Sequence, residues 1–389
     1  MRPLNPAIVS PLLLNTIGQL AEKEGISDER LVRAVAQLSH LFTKERTSLN
    51  RPYLEDPVLA SAYLQYFLPV NLSKIQVLLD EMPALESTER CSVLDLGSGP
   101  GTGALAVLDW WHERRLTGAV SVVAVDSSSA AHRQAEQLWV HYCRVAGIVE
   151  VKLQICEGDI ERSVWLEQVR PSAPFDLIIL ANCLNEIHAD AKDRIAARAR
   201  LVTELLALLA PHGTMMIVEP ALRETSRALH QVRDRLLQEK RCTVYSPCLH
   251  ENSCPALVNP DNWCHEERAW NPPASIQEID EEVGFIKDAL KFSYLLLRTD
   301  GRTITPRAPQ TFRIVSELRE LKGDTRAWVC NELGRLEIGR LDRAESETNR
   351  AWSECQRGTI VQIKGLKRKD GATLARIPAD GTVEIVRPV

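Results

Sequence analysis

Apolar positions recur at helical spacing through residues 1–90 and then change period. Val32, Val35, Leu38, Leu41 and Phe42 fall on one helical face, as do Leu72, Ile75, Leu78 and Leu79. Between them Arg51-Pro-Tyr-Leu-Glu-Asp-Pro57 is rich in turn formers, and the aromatic run Tyr63, Tyr66, Phe67 that follows reads as core. From Cys91 the apolar runs become short and continuous: 92–97, 120–125, 151–155, 175–180 and 213–219. Helical stretches over 102–114, 130–145, 192–209 and up to about Arg241 separate them. This alternation predicts parallel strands joined by crossover helices, a doubly wound α/β sheet. Phe292–Arg298 predicts one more strand returning to it.

Beyond Pro306 the helical period gives way to short alternating runs at 312–316, 325–331, 335–341, 359–363, 373–377 and 382–386, with turn dipeptides Asp370-Gly371 and Asp380-Gly381. Five or six short strands predict a small barrel of the oligonucleotide-binding type. The chain therefore divides into an N-terminal helical region (1–90), an α/β domain (91–300) interrupted by a cysteine-rich insert (242–273), and a small β-rich module (301–389).

With 389 residues the chain can bury a full core without disulfide staples. Its net charge of −5 excludes a uniformly basic nucleic-acid coat. Residues 302–389 nevertheless hold 17 Lys and Arg against 12 Asp and Glu, so a phosphate-binding surface is expected there. Lys364, Lys367, Arg368 and Lys369 cluster in one loop between two expected strands and are the candidate RNA contacts. The segment from Pro3 to Ala21 has neither a continuous apolar run nor an Arg-rich, acid-poor presequence pattern. No membrane association and a cytoplasmic location are expected, where the ten cysteines stay reduced.

The most informative motif is Val93-Leu-Asp-Leu-Gly-Ser-Gly-Pro-Gly-Thr-Gly103. Glycines after a strand let the chain turn tightly and bring backbone N–H groups against a ligand. Gly97, Gly99 and Thr102 fit the dinucleotide fingerprint poorly, and the Gly-Lys-Ser/Thr of a phosphate loop is absent. The Asp-x-Gly-x-Gly-x-Gly pattern of Asp95–Gly101 resembles the first motif of class I S-adenosylmethionine-dependent methyltransferases. That resemblance implies a methionine-embracing loop (Asp95, Gly97, Ser98, Gly99, Gly101), an acid on the cofactor ribose (Asp126) and a polar residue by the adenine (Asp159). The segment Leu180–His188 occupies the position where such enzymes keep catalytic residues. Asn182 is a candidate cofactor contact there, and Asn182, Asn185 and Glu186 are candidate catalytic residues, with helix capping as the competing role.

Pro247-Cys-Leu-His-Glu-Asn-Ser-Cys-Pro255 and Trp263-Cys-His265 place three cysteines and two histidines on irregular backbone, which a metal would hold rigid. The gaps of five and nine residues between Cys248, Cys254 and Cys264 contain no tight pair of the zinc type. Iron–sulfur clusters accept wider spacing. Cys330 is the leading fourth ligand, with Cys242 and His265 in reserve. The Pro-Cys-x-His-x-x-x-Cys-Pro motif behind a methyltransferase-like core, ahead of a β-rich tail, resembles the mitochondrial small ribosomal subunit assembly family of methyltransferase-like proteins (the methyltransferase-like protein seventeen family) and its bacterial relatives. The resemblance runs from Tyr63-Leu-Gln-Tyr-Phe-Leu-Pro69 to the tail. It implies binding to ribosomal RNA in small-subunit assembly intermediates and a 4Fe-4S cluster on Cys248, Cys254, Cys264 and Cys330. Two alternatives remain open from sequence: an active S-adenosylmethionine-dependent rRNA methyltransferase, and a methyltransferase of a protein or small molecule with a structural zinc site.

Overall fold

The computed structural model describes residues 9–23, 25–45, 53–85, 89–285, 288–368 and 373–389. Residues 1–8, Arg51, Pro52, Lys369 and the Asp370-Gly371 turn lie outside them. Four helices come first: α1 (Pro11–Glu22), α2 (Asp28–Thr43), α3 (Pro57–Ala62) and α4 (Leu68–Glu81). Asp56 caps α3 by accepting from the amides of Val58 and Leu59. A π-helical turn over Tyr63–Phe67 joins α3 to α4.

The α/β domain follows as β1 (Arg90–Leu96), α5 (Thr102–Glu113), β2 (Ala119–Asp126), α6 (Ser129–Ala146), β3 (Val151–Glu157), α7 (Val164–Val169), β4 (Phe175–Ala181), α8 (Arg194–Leu206), β5 (Leu209–Pro220), α9 (Arg223–Gln238), β6 (Thr243–Ser246), β7 (Glu266–Ala269), α10 (Ala274–Val283) and β8 (Ala289–Arg298). The sheet runs β3-β2-β1-β4-β5-β8-β6, with β7 also on β8. Strand side chains alternate between faces. Cys91 and Val93 meet the layer of α4, α5 and α6, whereas Leu94 and Leu96 meet α7, α8 and α9.

The fully parallel expectation needs correction. β1 to β5 pair in parallel, but β8 runs antiparallel to β5, β6 and β7. The cysteine segment, which shows no periodicity, supplies β6 and β7. These are four residues each, too short for a period to register.

The C-terminal module comprises β9 (Thr311–Ile314), β10 (Arg319–Leu321), β11 (Asp324–Asn331), β12 (Gly334–Leu341), β13 (Ile360–Lys364), β14 (Lys367–Arg368), β15 (Leu374–Arg376) and β16 (Thr382–Arg387). Every alternating run of the tail is a strand, around a core of Phe312, Ile314, Val329, Ile338, Trp352 and Val361. The ladder runs β14-β15-β12-β11-β9-β13-β16, with β10 on β11. Among the described residues no pairing joins β14 to β16, so the expected closure into a barrel is not seen. The strands at the β14 end, two and three residues long, are too short to continue the ladder.

A buried ionic hub joins the three parts. Glu81, at the end of α4, meets Arg268 of β7 at 2.7 Å and Arg313 of β9 at 3.8 Å, and it accepts from the hydroxyls of Ser246 and Tyr294. Arg313 also reaches Glu266 at 2.5 Å and Tyr294 at 2.8 Å. Burial alone would raise the Glu81 pKa, but the two guanidiniums hold it down at about 2. Charges so buried persist only when fully paired. Arg387 of β16 adds a hydrogen bond to the Glu81 carbonyl at 2.9 Å.

Candidate functional site

β1 delivers the glycine loop to the carboxyl end of the sheet, where open α/β sheets bind ligands. The amides of Gly97 and Ser98 donate to the Val125 carbonyl at 2.9 and 3.1 Å, tying the loop to β2. Gly97 has φ +69°, and a Cβ there would lie 2.6 Å from the Cys183 Cβ. Only glycine fits. The Gly99 amide donates to Asp126 Oδ2 at 2.8 Å, and Asp126 Oδ1 accepts from the Ser128 amide at 2.9 Å.

Asp95, expected in the loop, sits beneath it. It is 1% exposed and accepts from the Ala104 amide at 2.9 Å. Burial pushes its pKa up to about 7. The first turn of α5 has orphan N–H groups to satisfy, and Asp95 answers that need instead of facing a ligand. A Cβ on Gly103 would meet its carboxylate at 2.4 Å, so the helix can approach only because residue 103 is glycine.

Around the loop lies a cleft of about 490 Å³. Gly97, Ser98, Gly99, Asp126, Asp159 and Asn182 line it; Asp95 and Gly101 do not. The opposite wall was not foreseen: Phe42, Tyr53, Tyr63 and Phe67 from the N-terminal helices face the same space. Phe42 meets Tyr53 and Phe67 edge-on at centroid distances of 5.3 and 5.1 Å. Of the aromatic run expected as core, Tyr66 is fully buried, while Tyr63 and Phe67 are half-buried at the cleft. The π-helical turn rotates them there, and such turns frequently mark functional sites.

The segment after β4 divides into two roles. Asn182, at φ +59°, and Glu186 line the cleft. Asn185 faces the other way: its amide donates to Glu219 Oε1 at 3.2 Å, and its side chain donates to the Asn182 carbonyl at 3.1 Å. Arg198, nearly buried, donates to the carbonyls of Asn185 and Ile187 at 2.6 and 2.8 Å. Asn185 therefore shapes the turn. Burial raises the Glu219 pKa to about 8 behind it.

A second cavity, about 50 Å³, lies between α9, the cysteine segment and the C-terminal module. Cys248, Cys254, Cys264 and Cys330 all line it, together with His230, His250 and His265. Cys330 projects from β11; the other three come from the irregular segment. The Cys264 carbonyl accepts from Ser293 Oγ at 2.9 Å and is bonded to His230 at 3.2 Å. The Cys254 amide donates to Asp234 at 2.9 Å, and Cys330 Sγ lies 3.6 Å from His250 Nε2. Burial raises the thiol pKa values of Cys254, Cys264 and Cys330, that of Cys264 to about 12. Arg233, fully buried, donates to the carbonyls of His250 and Asn252 and places its charge beside Cys248 and Cys254. Neither reserve ligand changes this picture: Cys242 does not line the cavity, and His265 is bonded to Glu267 at 2.9 Å. Among the described residues no three Cys, His, Asp or Glu side chains are close enough to hold a single metal ion.

Lys364, Lys367 and Arg368 are exposed around β14, and Lys367 lies 3.8 Å from Asp380. Lys369 is outside the described residues. No helix among the described residues is long and apolar enough to cross a membrane.

The β3-β2-β1-β4-β5 order, the antiparallel β8 beyond it and the glycine loop above β1 define a class I methyltransferase-like α/β protein. The model of the mitochondrial small ribosomal subunit Rsm22 family matches residues 57–347, and the chain belongs to that family. No curated protein matches the chain. Among solved structures it is similar to the CcbJ methyltransferase of Streptomyces caelestis (17% identity over 38% of this chain and 48% of that one, TM-score 0.25). It is also similar to the type I restriction-modification methyltransferase subunit of Streptococcus thermophilus (14%, 62% and 49%, 0.35). A third is a putative S-adenosyl-L-methionine-dependent methyltransferase of Methanococcus maripaludis (14%, 62% and 88%, 0.28). The chain spans about half the length of the first two.

Proposed function

We propose that the protein is a small ribosomal subunit assembly factor that binds rRNA in assembly intermediates. Its methyltransferase-like cleft holds S-adenosylmethionine, and a 4Fe-4S cluster on Cys248, Cys254, Cys264 and Cys330 fastens the C-terminal module to the α/β domain. The observation that carries this reading is the convergence of four thiols, from two modules, on one small cavity. The gaps of five and nine residues between Cys248, Cys254 and Cys264, with no tight pair, favour an iron–sulfur centre over zinc. The cavity accommodates several water-sized groups. Arg233, ion-paired with Asp234, places a buried guanidinium beside Cys248 and Cys254 and donates to the loop carbonyls around them. The cluster's part is structural here: it cross-links the loop's thiols to Cys330 of the C-terminal module.

The exposed Lys364, Lys367 and Arg368, with the positive surplus of the tail, support RNA contact from the module. Asn182 and Glu186 at the cleft favour the second reading, an active methyltransferase, with the cofactor's methyl group as the transferred unit. One preparation tests the proposal. The full chain, purified without oxygen, should contain iron and acid-labile sulfide and should retain small-subunit rRNA on a filter at moderate salt. Zinc without sulfide, or no retention, overturns it. Transfer of labelled methyl groups to immature subunits would establish the second reading.

A further inference from the structure

The cleft is lined by four carboxylates, Asp126, Asp159, Glu161 and Glu186, and among the described residues by a single basic side chain, Lys74. Adenosylmethionine carries a sulfonium, an ammonium and one carboxylate. Its two cationic groups suit the acidic lining, and among the described residues of the lining Lys74 offers its carboxylate an opposite charge.

The position of Lys74 agrees with this. It projects half-buried from α4, and its ammonium donates to Asn71 Oδ1 at 3.0 Å. Asn71, Tyr63 and Thr102, the first residue of α5 after the glycine loop, line the same cleft as Lys74. Asp126 and Asp159 mark the ends of β2 and β3 on the other side.

We infer that Lys74 is the anchor for the ligand's carboxylate, so the N-terminal helices complete the cofactor site as well as packing against the sheet. This rests on the proposed adenosylmethionine site and deepens it. Lys74 positions the amino-acid end of the ligand and takes no part in bond making.

The test is equilibrium binding of three ligands to the full chain: S-adenosylmethionine, S-adenosylhomocysteine and 5′-methylthioadenosine, which lacks the amino-acid end. Lys74→Met keeps the aliphatic stem and should weaken the first two by about tenfold to a hundredfold, the range for a hydrogen bond to a charged group. Binding of 5′-methylthioadenosine should not change, and Lys74→Arg should restore most of the loss. An equal loss for all three ligands, with a lowered melting temperature, would show a merely structural lysine and overturn the inference. So would no loss for any. If the wild-type chain binds none of the three, the cofactor reading itself falls; if it binds 5′-methylthioadenosine as tightly as S-adenosylhomocysteine, only the anchor does.

Discussion

The cleft and the cysteine cavity are built on opposite plans. The cleft is an open space at the carboxyl edge of a regular sheet, and each loop that lines it is aimed by the strand before it. The cavity is much smaller, and three of its thiols sit on backbone that belongs to no strand or helix. Regular structure positions the first site. In the second, the loop backbone is held by bonds from Arg227 and Arg233 to its carbonyls and by bonds to the Cys264 carbonyl. The proposed cluster would add a cross-link between the side chains that these bonds do not make.

Four perturbations sharpen that contrast. The largest effect is expected from Cys248→Ser combined with Cys264→Ser. Losing a centre bound at a thousandfold its dissociation constant removes about 4 kcal/mol, a fall in melting temperature of about 5 °C for a chain of 389 residues unfolding together. Limited proteolysis between β8 and β9 should quicken with it. A melting curve like that of the wild type would sink the clamp. Glu81→Gln should cost about 3 kcal/mol, because Arg268 and Arg313 then share one carboxylate. Glu81 has a depressed pKa, so its contribution is present above the ordinary glutamate range and disappears as pH falls from about 4.5 towards about 2. Acid titration of wild type and variant should converge over that window.

Gly97→Ala should cost about 2 kcal/mol, from the clash with Cys183 together with the strain of a positive φ. Cys183→Gly in the same chain should recover the clash but not the strain. Full recovery, or none, would show that one of the two effects is absent. The last perturbation reads as a slope rather than a single loss and concerns Glu219, whose pKa is raised to about 8 by burial. The folded state retains a proton there that the unfolded chain releases above its own pKa near 4.5. Stability is therefore highest below that pH and declines as pH rises towards 8, by up to about 1.4 kcal/mol per pH unit. Glu219→Gln should flatten the slope between pH 5 and 8, leaving the decline that Asp95 causes up to about 7.

Much of the cleft was legible because its residues follow strands whose apolar runs mark their own ends: Gly97, Asp126 and Asp159 could be placed by counting from β1, β2 and β3. Asp95 was misjudged because a sequence does not show which way a loop acid turns, and the bare amides of α5 decided it. Lys74 and the aromatic wall carry no signal at all. Phe42, Tyr63 and Phe67 sit at helical spacing like any core residue, and only the crossing of α2 and α4 over the sheet turns them to a ligand. The cysteines were conspicuous by type, yet their convergence depends on a strand of a separate module. Glu81, Arg268 and Arg313 were missed for the same reason. Their partners lie far along the chain, beyond any local pattern.

The walls of the cysteine cavity come from both sides of β8, and β11 contributes the last thiol. A nascent chain therefore finishes the α/β sheet while three of these sulfurs still line an open trough. Delivery of the proposed inorganic centre would have a natural interval: after the sheet has formed and before the C-terminal module docks. The order in which the polypeptide leaves the exit tunnel would then decide when that trough closes, giving the translation of this chain a say in its own maturation.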